Sequence, residues 1–383
     1  MPWDWSFDQR GVRAAWALWF AILAGFTLAT VVWPGMPSVT RTYRDASSAW
    51  LAGQEIYAQA EGAMNYLPQF AIFFSPFAKA PRWAGDALWR ILQMGIYVSG
   101  LRRLAAAAHS GPGDLFLLLS LLALPGALAS ILNGQSNLLL AGAMAHATAG
   151  LIGGQRWAVA AWLMLGLVAK PIAIVMILLL AAAELTIIPW LLGGAVLTAA
   201  VPLVFDSWPY VSQQYRSWYQ QLLLIAPSQE HRFDDINGLL RTLKVYLPVK
   251  VSFLISLAAA ILTLALWRVG SRRLRPPNRE LALLGLSAGY LMLFNPRTES
   301  NSYVILSPAI ASLAARLLMV EQRRIGWLLS GLAILLGNAF WEPVWLLTKL
   351  WLKPVGAIAF VGYLGCEILR RPPKADVAGG TMG

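Results

Sequence analysis

Charged residues are scarce in this chain. They make up 13% of its 383 residues, whereas 58% of the residues are hydrophobic. A soluble globular domain is about one-quarter charged, so this chain has too few charges to cover the surface of a soluble protein of its length. A lipid bilayer accepts apolar surface without penalty. We therefore expect an all-α polytopic membrane protein, with residues 1–383 forming a single membrane domain.

Cysteine and histidine are also nearly absent. The one cysteine, Cys366, excludes an intramolecular disulfide and a cysteine metal site. The three histidines, at positions 109, 146 and 231, are too far apart in sequence to form a local metal motif. The chain has no Walker A loop, dinucleotide glycine fingerprint, His-Glu-x-x-His helix or Gly-x-Ser-x-Gly elbow. We expect no metal and no other cofactor, and we expect no nucleotide hydrolysis.

Acidic residues are fewer than basic ones, 18 against 30, which gives a formal net charge of +12. In a soluble protein this excess of positive charge would suggest nucleic-acid binding as a function. Here the arginines stand beside apolar segments, so membrane topology and anionic lipids explain them better. The expected partners therefore include membrane lipids and exclude nucleic acid.

Apolar segments are what the chain has in abundance. Twelve of them predict helices, although several are shorter than the roughly 20 residues that a straight span needs. Proline steps at 170–171 and 188–189 predict breaks between neighbouring helices. The predicted helices are 12–33, 85–104, 114–132, 138–152, 157–169, 171–188, 189–205, 248–269, 279–294, 302–319, 325–341 and 353–369. The number of spans is therefore about twelve.

Arginines predict the orientation of these helices. Arg102, Arg156, Arg272, Arg323 and Arg370 all fall in loops on the side shared with the N-terminus. By the positive-inside rule that side is cytoplasmic. Long loops at about 34–84 and 206–247 then lie on the opposite face, and their aromatic residues predict interfacial helices there, including one over 210–225.

The first long loop contains two polar clusters. Asp45, next to Arg44, is a candidate general base near the bilayer surface. The alternative is a solvated aspartate paired with Arg44 or Arg41. Tyr66 opens a proline-broken stretch, 65–76, which we interpret as an interfacial half-helix; a short transmembrane helix is the alternative.

Two further clusters separate apolar runs. Asn133, Gln135 and Asn137 lie in an Asn-Gly-Gln-Ser-Asn sequence. A plain turn needs only Asn-Gly, so the extra amides favour a binding site, although a turn without function stays open. Lys170 stands between two apolar runs, where a lysine marks a functional site by default. Snorkelling to the interface is the alternative.

The late clusters are less specific. Arg297 is a candidate phosphate ligand because its planar guanidinium matches phosphate oxygens, and an ion pair with Glu299 is the alternative. Asn301 belongs to the same polar loop. Asp234 and Asp235 precede Asn237; adjacent carboxylates can bind a divalent ion, but capping of a following helix explains them equally well.

Taken in order, these motifs resemble glycosyltransferase family 87, the polyprenol-phosphate-mannose-dependent mannosyltransferases of the GT-C superfamily. The matching pieces are Arg44-Asp45 with Gly53 to Tyr57, then Tyr66-Leu67-Pro68, Asn133 to Asn137, Ala169-Lys170-Pro171, Asn237-Gly238 and Asn295-Pro296. Two departures matter: Leu67 stands where the family often has a proline, and Arg297 and Asn301 occupy a loop that often carries histidine. The second departure leaves the donor sugar open, with mannose as one candidate.

The resemblance implies a GT-C bundle with extracytoplasmic interfacial helices and a catalytic aspartate in the first extracytoplasmic loop, which is Asp45 here. It also implies a polyprenyl-phosphate-linked sugar donor and a lipid or glycan acceptor. Asp45 would take the acceptor proton, and the sugar would transfer with inversion. Donor phosphate binding would fall to Arg44, Lys170 and Arg297, and substrate binding to Tyr66, Asn133, Gln135, Asn137, Asn237, Glu299 and Asn301.

The expected location is a bacterial inner (plasma) membrane, with the active site facing the periplasm or exterior. A secondary transporter or a lipid flippase is the alternative function. Transporters commonly show paired repeats around a midplane site, whereas the polar residues of this chain concentrate on one face and in two unequal loops.

Overall fold

The computed structural model describes residues 9–33, 38–57, 64–109, 114–224, 233–296, 298–320, 322–338 and 342–370. Within these ranges the regular structure is helical and no strand occurs. The helices are α1 Gln9–Val32, α2 Thr40–Leu51, α3 Pro68–Lys79, α4 Arg82–Ala108, α5 Phe116–Asn133, α6 Asn137–Ile152, α7 Arg156–Ala169, α8 Ile174–Ala183, α9 Ile188–Ala200, α10 Trp208–Leu224, α11 Ile236–Thr242, α12 Val249–Arg273, α13 Asn278–Phe294, α14 Ser307–Met319, α15 Arg323–Leu335, α16 Glu342–Thr348 and α17 Leu352–Leu369. The all-α expectation is confirmed.

Each of the twelve predicted apolar segments coincides with a helix, whereas α2, α3, α10, α11 and α16 lie outside them. Five helical stretches of the described chain are long and apolar enough to cross a membrane. They are α1, α5, Leu185–Val204, α12 and α17. The apolar helices α6, α7 and α14 and the stretch Pro171–Ala183 are shorter. Twelve crossings therefore remain a prediction.

Proline-marked breaks occur where the sequence predicts them. Helix α7 ends at Ala169, Lys170 is extended, and Pro171–Ala173 forms a turn of 3-10 helix before α8. A second 3-10 turn, Leu185–Ile187, precedes α9. These breaks bring Lys170 to a helix end, because a proline cannot continue the hydrogen-bond ladder of the preceding helix.

The two long loops contain helices that are too short to span. Helix α3 has 12 residues with Pro68 at its start, which gives a length of about 18 Å against a hydrocarbon core of about 30 Å. This length favours the half-helix interpretation. Helix α10 agrees with the predicted interfacial helix to within two residues at each end. Tyr210 of α10 donates to Gln54 O (2.7 Å) and Trp218 to Asn65 O (3.3 Å), so α10 contacts the chain between α2 and α3 near both of those helices.

Loops assigned to the N-terminal side meet at one end of the bundle. Arg102 forms an ion pair with Asp114 at 2.7 Å, and Arg279 with Glu184 at 3.3 Å. Arg273 donates to the Leu369 carbonyl at 3.2 Å. We call this the arginine-rich end. The two long loops and the polar clusters lie at the other end.

The main apolar core runs through α4, α6, α13 and α14, and α6 is buried from Asn137 to Gly150. Gly142 lets α4 and α6 approach closely, because an added Cβ would lie 2.8 Å from the Ile96 backbone. A second, aromatic core that includes Tyr43, Phe70 and Trp89 packs α2 and α3 against α4. This aromatic core supports the polar site.

Candidate active site

The Asn133–Asn137 turn joins α5 to α6 at the end opposite the arginines. Gly134 has φ +65°, a left-handed conformation that L side chains rarely adopt. A Cβ at Gly134 would also lie 3.0 Å from Thr40 Cγ2. The buried Trp89 indole donates to the Gly134 carbonyl at 2.8 Å. Helices α2 and α4 therefore both contact the turn and fix its conformation.

Arg90 caps the C-terminus of α5. Its side chain is buried, with Nε donating to Ile131 O at 3.1 Å and Nη2 to Leu132 O at 2.8 Å. The last carbonyls of a helix lack intrahelical partners, so buried ones need donors from elsewhere. Arg90 supplies them and holds the end of α5 from which the turn begins.

We expect Arg90→Met to lower the melting temperature of the purified protein and to weaken the turn. The substitution leaves two carbonyls at the end of α5 without their charged donor, and a hydrogen bond to a charged group contributes about 1.5–3 kcal/mol. Thermal unfolding in detergent measures the effect. Arg156→Met is the control, because Arg156 is exposed at the start of α7. Equal melting temperatures for the two variants would contradict the capping role.

An amide cluster, defined as Gln135, Asn137, Glu299, Asn301 and Ser302, joins the turn to the segment after α13. Gln135 Nε2 donates to Glu299 Oε2 at 2.7 Å, and Asn137 Nδ2 contacts Gln135 Oε1. The same Asn137 nitrogen lies 3.2 Å from Asn301 Oδ1 and 3.3 Å from Ser302 Oγ. Gln135 and Asn137 are buried, whereas Glu299 is exposed. Polar side chains that are far apart in sequence thus form one cluster, which is buried at Gln135 and Asn137 and reaches solvent at Glu299.

Tyr43, Tyr66 and Lys170 flank the turn on its other side. The two tyrosine hydroxyls lie 3.0 Å apart, and the backbone N–H of Ser136 donates to the Tyr43 hydroxyl at 3.3 Å. Lys170 Nζ lies 5.8 Å from the centre of the Tyr66 ring, at cation–π distance. Burial, more than the neighbouring Tyr66, raises the pKa of Tyr43 above its ordinary value, so its hydroxyl stays protonated at neutral pH.

Asp45 lies on the exposed face of α2. Its carboxylate is 4.0 Å from Arg41 Nε, and its side chain is 71% exposed. Asp45 follows Tyr43 by two residues, about 3 Å along the helix axis, but it leaves the helix about 200° away from Tyr43. The pairing with Arg41 is the alternative named from the sequence, and the general-base role of Asp45 stays a prediction.

Arg44 has structural partners in this conformation. Its Nη1 donates to the Ala80 carbonyl at 2.9 Å and contacts the Ala78 carbonyl, both at the C-terminus of α3. Its Nη2 lies 4.0 Å from the Asp86 carboxylate. The phosphate-binding role predicted for Arg44 would require the guanidinium to leave these acceptors.

Asn133 and Asn237 are not joined to the amide cluster by a described side-chain contact. Asn133 offers its backbone carbonyl to Val39 N at 3.1 Å. Asn237 Oδ1 accepts from Ser252 Oγ at 2.9 Å, which ties α11 to α12. Arg297 lies outside the described residues. Their predicted roles in substrate or phosphate binding stay predictions.

The side chains of the two adjacent aspartates both accept hydrogen bonds from backbone N–H groups. Asp235 precedes α11 and accepts from the backbone N–H of Gly238 at 2.8 Å. Asp234 Oδ1 accepts from Leu350 N at 3.1 Å, and its backbone carbonyl accepts from the Tyr303 hydroxyl at 2.9 Å. The capping alternative is confirmed for Asp235, whereas Asp234 links the second long loop to the segment before α17.

Lys353 is a site residue that the sequence reasoning missed. It is buried, with 2% of its surface exposed, and its Nζ donates to both the carbonyl and the hydroxyl of Ser300 at 2.7 Å. Ser300 lies between Glu299 and Asn301, so Lys353 anchors the segment that carries three of the five residues of the amide cluster. A signal was available, because a Lys-Pro pair stands at the start of the last predicted apolar helix, just as a Lys-Pro pair marks Lys170.

This arrangement defines a helical membrane protein with a polar, lysine-flanked site at one end of its bundle. Residues 65–296, more than half of the chain, match the model of glycosyltransferase family 87. The chain therefore belongs to glycosyltransferase family 87 and is a membrane glycosyltransferase. The match includes Tyr66, Gln135, Asn137 and Lys170, whereas Asp45 and Glu299 lie outside it.

Two solved structures of ArnT from Cupriavidus metallidurans are similar to this chain. The apo structure has 15% identity and a TM-score of 0.45, and the structure bound to undecaprenyl phosphate has 16% identity and a TM-score of 0.44. Each comparison covers 94% of this chain and 76% of the ArnT chain. No curated protein matches the chain.

Proposed function

We propose that this glycosyltransferase moves a sugar from a polyprenyl-phosphate donor to a lipid or glycan acceptor, with inversion at the anomeric carbon. The amide cluster beside Lys170 is the observation that carries the proposal, since it supplies groups for a sugar and for a phosphate at one place. Mannose is one candidate sugar, and bacterial inner (plasma) membrane is the proposed location. The arginine-rich end lies opposite the cluster, which favours an active site on the extracytoplasmic face.

The cluster has the chemistry of a sugar-binding surface. Amide groups both donate and accept hydrogen bonds, as do sugar hydroxyls. Asn137 Oδ1 is buried and has no hydrogen-bond partner within the described part of the chain. Buried polar atoms are rarely left unpaired. A sugar hydroxyl donating to this oxygen would satisfy it.

Lys170 is the proposed ligand of the donor phosphate. It stands at the break between α7 and α8, partly buried, next to Tyr66 and to the turn held by Ser136, whose hydroxyl donates to Ala169 O at 3.0 Å. A cation held where negative charge grows on the leaving phosphate lowers the energy of the transition state. Arg297 and Arg44 are proposed as further ligands of the same phosphate.

Asp45 is the proposed general base. The acceptor hydroxyl oxygen attacks the anomeric carbon from the side opposite the phosphate, and Asp45 takes its proton. The bond from the anomeric carbon to the phosphate oxygen breaks, and polyprenyl phosphate leaves with the electron pair. Phosphate is already a good leaving group, so this scheme needs no second carboxylic acid, unlike glycoside hydrolysis.

We expect Lys170→Gln to lower kcat by about 10²–10³-fold, the effect of removing one group that stabilises transition-state charge. Lys170→Arg, which keeps the charge, should lose less. Release of polyprenyl phosphate at saturating donor measures both. Lys79→Gln is the control, because Lys79 is exposed at the same end of the bundle. Equal rates for Lys170→Gln and the control would remove Lys170 from the site.

The function itself is tested with purified protein in lipid, a panel of polyprenyl-phosphate sugars and a membrane-lipid extract as acceptor. Release of polyprenyl phosphate together with a glycosylated product of inverted configuration is the expected result. A product with retained configuration would contradict the one-step mechanism. A substrate that crosses the membrane of a proteoliposome with its bonds intact would favour the transporter or flippase alternative.

A further inference from the structure

The arginine-rich end contains a cavity that the proposed reaction does not use. It has a volume of about 290 Å³ and lies between α13, α14 and α17. Asn278, the first residue of α13, and Glu367, near the end of α17, belong to its wall, so it lies at the helix ends opposite the amide cluster. Apolar residues one or more turns further inside line the rest, including Ala282, Leu313 and Leu364.

Arg316 lines this cavity and has no counterion among the residues that the structure describes. No hydrogen bond or ion pair of Arg316 occurs in the described chain, and its Nη1 is buried without a partner. A buried guanidinium nitrogen that is left unpaired carries a desolvation cost. The nearby Glu367 carboxylate is already paired with Arg370 at 3.0 Å. Within the described part of the chain, the cavity thus presents a cation that has no partner.

We propose that this cavity binds a phosphate group, and the headgroup of a phospholipid supplies it. A guanidinium fork matches two phosphate oxygens, and the side-chain amides of Asn278 and Gln322 lie in the same wall as further donors. The apolar part of the wall, further from the helix ends, suits the start of an acyl chain. Arg316 lies one turn from the end of α14, and lipid phosphates lie at the ends of spanning helices.

Lipid retention by the intact purified protein tests this site independently of sugar transfer. Delipidated wild type, Arg316→Met and Arg316→Lys are each given phosphatidylglycerol or phosphatidylethanolamine in mixed micelles, or inorganic phosphate alone. Native mass spectrometry counts bound lipid, and thermal unfolding reports stabilisation. Arg323→Met is the matched control, since Arg323 is exposed at the same end and the charge change is identical.

We expect wild type and Arg323→Met to hold a phospholipid that Arg316→Met binds at least about tenfold more weakly, with Arg316→Lys in between. Arg316→Lys keeps the charge, so it preserves the test if the methionine variant does not fold. Inorganic phosphate alone could stabilise wild type while lipid does not, with this effect absent in Arg316→Met. That result would support the phosphate site and overturn the proposal that a phospholipid supplies the phosphate. Equal lipid binding and equal phosphate response in wild type, Arg316→Met and Arg316→Lys would overturn the proposal.

Discussion

Asp45→Asn should strongly lower the rate of sugar transfer and leave the fold unchanged. Removing a general base costs about 10²–10⁴-fold in rate. The side chain is exposed, and its distant pairing with Arg41 is a surface ion pair worth about 0–1 kcal/mol, so the amide should not disturb packing. The measurements are kcat for polyprenyl phosphate release and the melting temperature.

Glu342→Gln is the control for Asp45→Asn, because Glu342 is an exposed carboxylate at the start of α16, on the same end of the bundle. This control should transfer sugar at the wild-type rate. Sugar transfer by Asp45→Asn at the wild-type rate would support the glycosyltransferase function and show that another residue is the general base. Glu299, the exposed carboxylate of the amide cluster, would then be the next residue to substitute.

Lys353→Met should raise the KM for the donor and lower kcat, together reducing kcat/KM by about 10²-fold. Methionine keeps the length of the side chain but removes both hydrogen bonds to Ser300. The segment carrying Glu299 and Asn301 would then be free to shift, and a displacement of about 1 Å in a site can cost that much. Steady-state kinetics with varied donor concentration measure the effect.

Combining a Lys353 substitution with one at Gln135, which donates to Glu299, distinguishes a positioning role of Lys353 from a purely structural role. If Lys353 positions the cluster, Lys353→Met combined with Gln135→Ala should be scarcely worse than either single variant. Additive losses accompanied only by a lower melting temperature would contradict the positioning role. Lys349→Met, an exposed lysine one turn away, is the control and should behave as wild type.

Hydrophobicity predicted the position of the apolar helices well, because long apolar runs end at prolines and polar turns that are visible in the sequence. Helix α6, for example, begins one residue before its predicted start. Helix α2 was not predicted. Its charged residues Arg41, Arg44 and Asp45 made the segment resemble a solvated loop. The buried residues Tyr43, Ser47 and Trp50 are spaced as on one face of a helix, and this spacing was a signal available in the sequence.

The sequence indicated several residues of the amide cluster but not the contacts that they make. An Asn-Gly turn did not need Gln135 or Asn137, and that excess pointed to them. Which partners they meet depends on how α5, α6 and the segment after α13 pack, and the sequence does not encode that directly. Arg44 and Arg90 illustrate the same limit: both are arginines beside apolar runs, and tertiary packing directs each to the end of a particular helix.

Arg90 also changes the electric field at the turn. The C-terminus of α5 and the N-terminus of α6 meet there, and their helix dipoles place partial charges of about −0.5 and +0.5 close together. The Arg90 guanidinium, bound to the last carbonyls of α5, offsets the negative end. What remains of the two helix dipoles is the positive end of α6 at Asn137, which partly offsets the negative charge of the Glu299 carboxylate at the opening of the amide cluster and leaves Lys170 as the cation that an anionic donor meets there.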